Sequence, residues 1–203
     1  VLLNQCPHQL DLLQWICGLP KKVQAFCQEG KWHDIEVEDD VTAYLEFENG
    51  ATGVFVTTTG DAPGTNRFEV TGTLGKLVCE NDTLTFWKLS QDEREFCRTA
   101  TEGFAQPPCE KLTVETDGEN PQHVGVLNAF AGNILHGTPL VAEGYEGIRG
   151  LTLSNAMHLS SWLGRPVDIP FDEELFLAEL NKRRASSRKK EGKDITFSTE
   201  GTY

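Results

Sequence analysis

The sequence predicts an α+β fold, an open and mostly antiparallel sheet with helices packed on one face. Three observations carry this. Consecutive segments between residues 41 and 89 alternate apolar and polar residues with the period of a strand. Two long segments between 121 and 164 then switch to the period of a helix. No glycine-rich turn joins a strand to a helix anywhere in the chain, so the strands do not read as parallel βαβ units.

The elements follow in order. Residues 7–17, PHQLDLLQWIC, read as a helix closed by Gly18 and Pro20. Pro7 suits a first helical position, where no N–H is needed. Leu10, Leu13, Ile16 and Cys17 make its apolar stripe. Residues 23–28 read as a strand. In the next strand Val41, Ala43, Leu45 and Phe47 alternate with Thr42, Tyr44, Glu46 and Glu48. Asn49-Gly50 predicts a type I′ hairpin turn into a strand over 51–59. Further strands are expected near 67–71, 76–80 and 83–89, the last two joined through Asn81-Asp82. Residues 90–120 are polar, with one more strand expected at 111–116. Helices follow from Pro121 to Gly137 and up to Gly164, then a short strand in PVDIP. The final helix begins with acids and ends with bases, as the helix dipole favours. Residues 1–172 read as one domain, and 173–203 as a C-terminal helix and basic tail.

Composition excludes several classes. The 203 residues carry a net charge of −13. Residues 182–203 hold seven basic and three acidic residues, leaving the rest with 11 basic against 28 acidic, a net of −17. Such a body repels phosphate backbones, so no nucleic-acid partner is expected. The basic tail reads as a solvated helix end. No apolar run is long enough to span a membrane. Six scattered cysteines, with no C-x-x-C pair and no signal peptide, fit a reducing cytoplasm and read as small buried hydrophobes. No metal-ligand spacing is present. The absent initiator Met suggests a chain that starts inside a longer protein. Trp15, Trp87 and Trp162 read as core or interface aromatics; His33, His136 and His158 read as turn or helix-surface residues.

The opening stretch, NQCPHQLD, carries the chemistry. His8 falls in the first turn of the first helix, whose positive end favours a neutral imidazole able to accept or relay a proton. Asp11, three residues on, is placed to hydrogen-bond His8 and set its tautomer. Asn4 either presents its amide to a ligand hydroxyl or caps the helix. Two further residues have two roles open. Arg67, beside Asn66, ends a loop that either faces a pocket or makes an ordinary salt bridge. His123 opens a helix, either at a pocket edge or as a surface and capping residue.

This opening resembles the start of the C-terminal domain of the glucose–fructose oxidoreductase / inositol dehydrogenase (Gfo/Idh/MocA) family. There a glycine-rich stretch is followed by Asp, three residues, His, two residues and Asp, which correspond to Asn4, His8 and Asp11. YLEFENGATGVF resembles the family hairpin, FEVTGTLGKL its E-x-x-G-x-x-G crossing, and residues 123–170 its closing helices and last strand. The resemblance spans roughly residues 1–172. It implies a parent enzyme with a preceding Rossmann domain that binds NAD or NADP. It implies hydride transfer between a nicotinamide and a sugar or cyclitol hydroxyl, and assembly as a dimer or tetramer through the open sheet face. His8 would be the general acid/base, Asn4, Arg67 and His123 would face substrate, and Asp11 would support His8. The family's catalytic lysine lies upstream of this domain, so the chain alone is expected to be inactive. Asn4 departs from the family Asp and cannot tune that lysine by charge. That departure leaves room for a non-catalytic sugar-binding or assembly module of the same fold.

Overall fold

A computed structural model describes residues 1–188. The basic-tail residues Lys189, Lys190 and Lys193 lie outside them. The fold is α+β, and every strand pair is antiparallel. Where one sheet was expected there are two, each of four strands. They belong to two compact units: Val1–Gly60 with the chain from Ala142 onward, and Asp61–Val141.

The first unit holds helix α1 (Pro7–Cys17), strands β1 (Lys22–Glu29), β2 (Glu38–Glu46) and β3 (Thr52–Thr58), then helix α4 (Gly147–Leu163), strand β8 (Val167–Asp168) and helix α5 (Glu173–Ser186). Its sheet runs β3-β2-β1-β8. The alternation read from the sequence has its physical counterpart: Val23, Ala25, Val41, Ala43 and Leu45 are buried on one face. Leu153, Ala156 and Met157 of α4 pack there, joined by Leu2, Cys6 and Leu10. β8 is only two residues long and leaves most of the β1 edge uncovered. Two serines of α4 take its place. The Ala25 amide donates to Ser160 Oγ at 3.0 Å, and the Cys27 amide donates to Ser161 Oγ at 2.9 Å. Hydroxyls thus satisfy donors that a longer strand would have paired.

Leu10 is the pin between α1 and this core, 1% exposed. Leu10→Ala is expected to cost about 3 kcal/mol of stability through lost burial and a residual cavity. Denaturant unfolding would measure it; a cost near zero would mean that α1 is not anchored as described.

The β2–β3 hairpin corrects one detail. Asn49 is not left-handed; only Gly50 is, at φ +83. The Gly50 amide donates to the Phe47 carbonyl at 3.1 Å, and the Phe47 amide donates to the Ala51 carbonyl at 2.9 Å. This is a three-residue connection with a glycine bulge, not a two-residue type I′ turn. The type I′ pattern occurs instead at Asn81-Asp82, with φ +50 and +55.

The second unit holds β4 (Arg67–Gly72), β5 (Gly75–Glu80), β6 (Thr83–Leu89), helix α2 (Glu93–Thr99), β7 (Cys109–Val114) and helix α3 (Gln122–His136). Its sheet is a plain meander, β4-β5-β6-β7. Gly72 and Gly75 pair across the β4–β5 turn, so the TGTLG stretch links strand to strand. α3 forms where its periodicity predicts, but none of its residues is buried. Among the described residues, no helix is long and apolar enough to cross a membrane.

One other expectation fails. Only Cys6 among the six cysteines is buried, and Cys17, Cys79, Cys97 and Cys109 are exposed. Of the two roles read for Trp15, core or interface, the core role is excluded: it is 71% exposed, because α1 turns Leu10 and Gln14 inward and leaves Trp15, Ile16 and Cys17 outside.

Candidate active site

The chain enters α1 through a tight turn. The Val1 carbonyl accepts from the amides of Gln5 at 2.9 Å and Cys6 at 3.2 Å, and the Cys6 carbonyl accepts the first helical bond, from Leu10, at 3.1 Å. Cys6 holds the cap position, Pro7 follows as the first helical residue, and no side chain caps the end. His8 is therefore displayed from a helix start whose backbone is fixed by its own turn. The helix closes with the Gly18 amide on the Gln14 carbonyl at 2.8 Å.

A cleft of about 330 Å³ opens beside this turn. His8 and Asp11 line it from α1, and Gly147, Gly150 and Ser154 line it from α4. The small residues on α4 admit α1 closely: a Cβ on Gly150 would stand 4.0 Å from the Asp11 nitrogen. Ser154 is 1% exposed and its hydroxyl finds no partner among the described residues.

His8 and Asp11 thus share one cleft, but the expected bond between them is not formed. Asp11 Oδ1 instead accepts from Gln14 Nε2 at 2.7 Å. Gln14 sits one helical turn behind and is buried, so it can hold the carboxylate where His8 cannot. Asn4 lies in the preceding turn, exposed, and does not cap the helix. Cys6, the cysteine nearest the site, is sealed in the core; burial pushes its thiol up, which makes it a poor nucleophile. The Cys27 thiol, also desolvated, is pushed up to about 12.

Arg67 and His123 belong to the second unit. Of the two roles open to Arg67, the ion pair is formed: its guanidinium meets Glu80 at 2.7 Å and also engages Glu69. His123 is exposed in the first turn of α3 and makes no capping bond. No cluster of three or more His, Cys, Asp or Glu that could hold a metal ion occurs among the described residues.

Sequence reasoning missed Gln14, Ser154 and a buried acid–histidine pair, Glu38 with His158. Glu38 is 7% exposed and His158 is 8% exposed, not a surface residue. The available signal was the spacing Gly147, Gly150, Ser154 on α4, small residues on one face where a neighbouring helix can approach.

Residues 1–78 match the model of the GFO/IDH/MocA C-terminal domain. No curated protein matches the sequence. Three solved structures illustrate the fold it shares. Aldose-aldose oxidoreductase from Caulobacter crescentus, complexed with glycerol, superposes with a TM-score of 0.63 at 20% identity, covering 83% of this chain and 47% of that one. The WlbA dehydrogenase from Bordetella pertussis, in complex with NADH and UDP-GlcNAcA, gives 0.55 at 21%, covering 84% and 45%. UDP-N-acetylglucosamine 3-dehydrogenase from Acidithiobacillus ferrooxidans gives 0.62 at 18%, covering 79% and 48%. The chain therefore spans about half the length of these enzymes. Over residues 1–78 the chain is similar to the C-terminal domain of the GFO/IDH/MocA family, and across most of its length it shares the fold of these oxidoreductases.

Proposed function

We propose that residues 1–172 form the substrate-binding and oligomerisation domain of a cytoplasmic NAD(P)-dependent oxidoreductase acting on a sugar or cyclitol hydroxyl, with 173–203 as its C-terminal helix and tail. The observation that carries this is the cleft in which His8 and Asp11 meet the small face of α4. The nicotinamide, held mainly by a Rossmann domain of the proposed parent, would take or give the hydride at the carbinol carbon. His8 would take up or return the hydroxyl proton. Asp11, held by Gln14, would present its carboxylate to a neighbouring substrate hydroxyl. Asn4 would offer an amide to the same polyol. Arg67 and His123 remain proposed substrate contacts, although the Arg67 guanidinium is already engaged by two carboxylates. The test is the full-length protein with NAD and NADP and a panel of sugars and cyclitols, followed by nicotinamide absorbance. Turnover supports the reading. Binding of a polyol without turnover by either nicotinamide supports the second reading, a sugar-binding or assembly module, which Asn4 in place of an acid favours.

The proposed oligomer is supported by the other sheet face. Phe26, Tyr44, Val54 and Val56 are 62%, 44%, 69% and 64% exposed. Register places Phe26, Thr42 and Val56 in one row and Gln24, Tyr44 and Val54 in the next. An apolar patch of this kind suits a second copy of the chain, giving a dimer or tetramer. Light scattering of the full-length protein is expected to show such an oligomer, and Val54→Glu with Val56→Glu to reduce it to monomer. A strictly monomeric unaltered protein would remove this part of the proposal.

A further inference from the structure

We infer that Glu38 and His158 form a positioning pair that sets the backbone turn presenting Asn4 and His8. The inference rests on the reading of His8 as the proton-handling residue. Glu38 is the first residue of β2. Its two carboxylate oxygens serve two different elements. Oε1 accepts from the Leu2 amide at 2.8 Å. Oε2 lies 3.1 Å from Nε2 of His158 on α4. The Val1 carbonyl in turn collects the amides of Gln5 and Cys6, and Cys6 begins α1. An unbroken run of bonds therefore links α4, through one carboxylate, to the turn two residues before His8.

His158 is itself braced. Its ring lies 5.4 Å from that of Trp162, which stacks on Phe176 at 5.5 Å. The Arg183 guanidinium sits 4.3 Å above the Trp162 ring. The histidine thus lies between Glu38 of β2 and Trp162 of its own helix, which in turn packs on α5, and that helix also supplies Gly147, Gly150 and Ser154 to the cleft. One pair of side chains registers both walls of the cleft against each other. A buried polar pair adds little net stability over well-packed apolar residues, so its value here is the geometry it imposes. In this role Glu38 and His158 touch no substrate; they act through the turn.

The test uses the full-length protein, with Glu38→Gln, His158→Ala and His158→Gln. Hydrogen exchange is read on peptides covering 1–8 and 41–47, and kinetics on the polyol substrate. Glu38→Gln and His158→Ala are expected to raise exchange in 1–8 by about tenfold or more while 41–47 stays protected. They should lower kcat/KM for the polyol by about tenfold to a hundredfold, leaving the nicotinamide KM unchanged. His158→Gln, whose amide can still donate to Glu38, should recover most of both. Equal rises in the two peptides, or none, would overturn the inference, because the pair would then be a general stabiliser or irrelevant to the turn. Local loosening with kcat/KM unchanged would overturn it too. If the unaltered protein transfers no hydride, the proton-handling reading fails on its own, while the exchange data still decide whether the pair holds the turn.

Discussion

His8→Ala in the full-length protein is expected to lower kcat/KM for the proposed polyol substrate by about 10²–10⁴-fold, the usual worth of a positioned general acid/base. The KM for the nicotinamide should hardly move, because His8 sits on α1 beside the proposed substrate cleft. His8→Gln should lose nearly as much, since an amide can orient a hydroxyl but cannot carry its proton. A variant with unaltered kcat/KM would remove His8 from the chemistry and leave the cleft as a binding site alone.

The second large effect is acid lability of the first unit. Glu38 and Asp39 begin β2 as adjacent buried carboxylates. Burial pushes the Glu38 carboxyl up, but the His158 ring and the Leu2 amide work against it and lower the group's pKa. Burial works against Asp39 as well; the amides of Trp32, His33 and Lys31 reverse it, at 2.8, 2.8 and 3.0 Å. Both pKa values are lower folded than unfolded. Their stabilisation is therefore fully present above the unfolded carboxyl range, near pH 4, and drains away as pH falls through it toward the folded values. Urea unfolding at pH 6, 4.5 and 3.5 is expected to show a steep drop in midpoint over the lower interval. Glu38→Gln should flatten that drop by the uptake of one proton. A midpoint independent of pH over this range would contradict the arrangement.

Local order in this protein was open to inspection in the residues. Pro7 and Gly18 bound α1, and the helix runs between them as read. Strict alternation from Val41 to Phe47 identified which side of β2 faces the core. The short helix α2 escaped because it has no apolar periodicity; its start is signalled only by Asp92, which accepts from the amides of Arg94 and Glu95. His8 and Asp11 could be singled out because helical spacing places residues three apart on one face.

What lay beyond the sequence was every choice made between distant residues. Strand pairing split one expected sheet into two, a matter of which edges meet. Asp11 chose Gln14 over His8, because a buried amide one turn away reaches it. Arg67 could not be assigned until β5 brought Glu80 opposite it. His158 looked like a surface histidine until β2 delivered a carboxylate to it across 120 positions of chain. Helix and turn formation are decided by interactions a few residues apart, so one chain segment contains their causes. Buried polar partnerships depend on desolvation and on groups that only packing brings within 3 Å, and those causes exist only in the folded molecule.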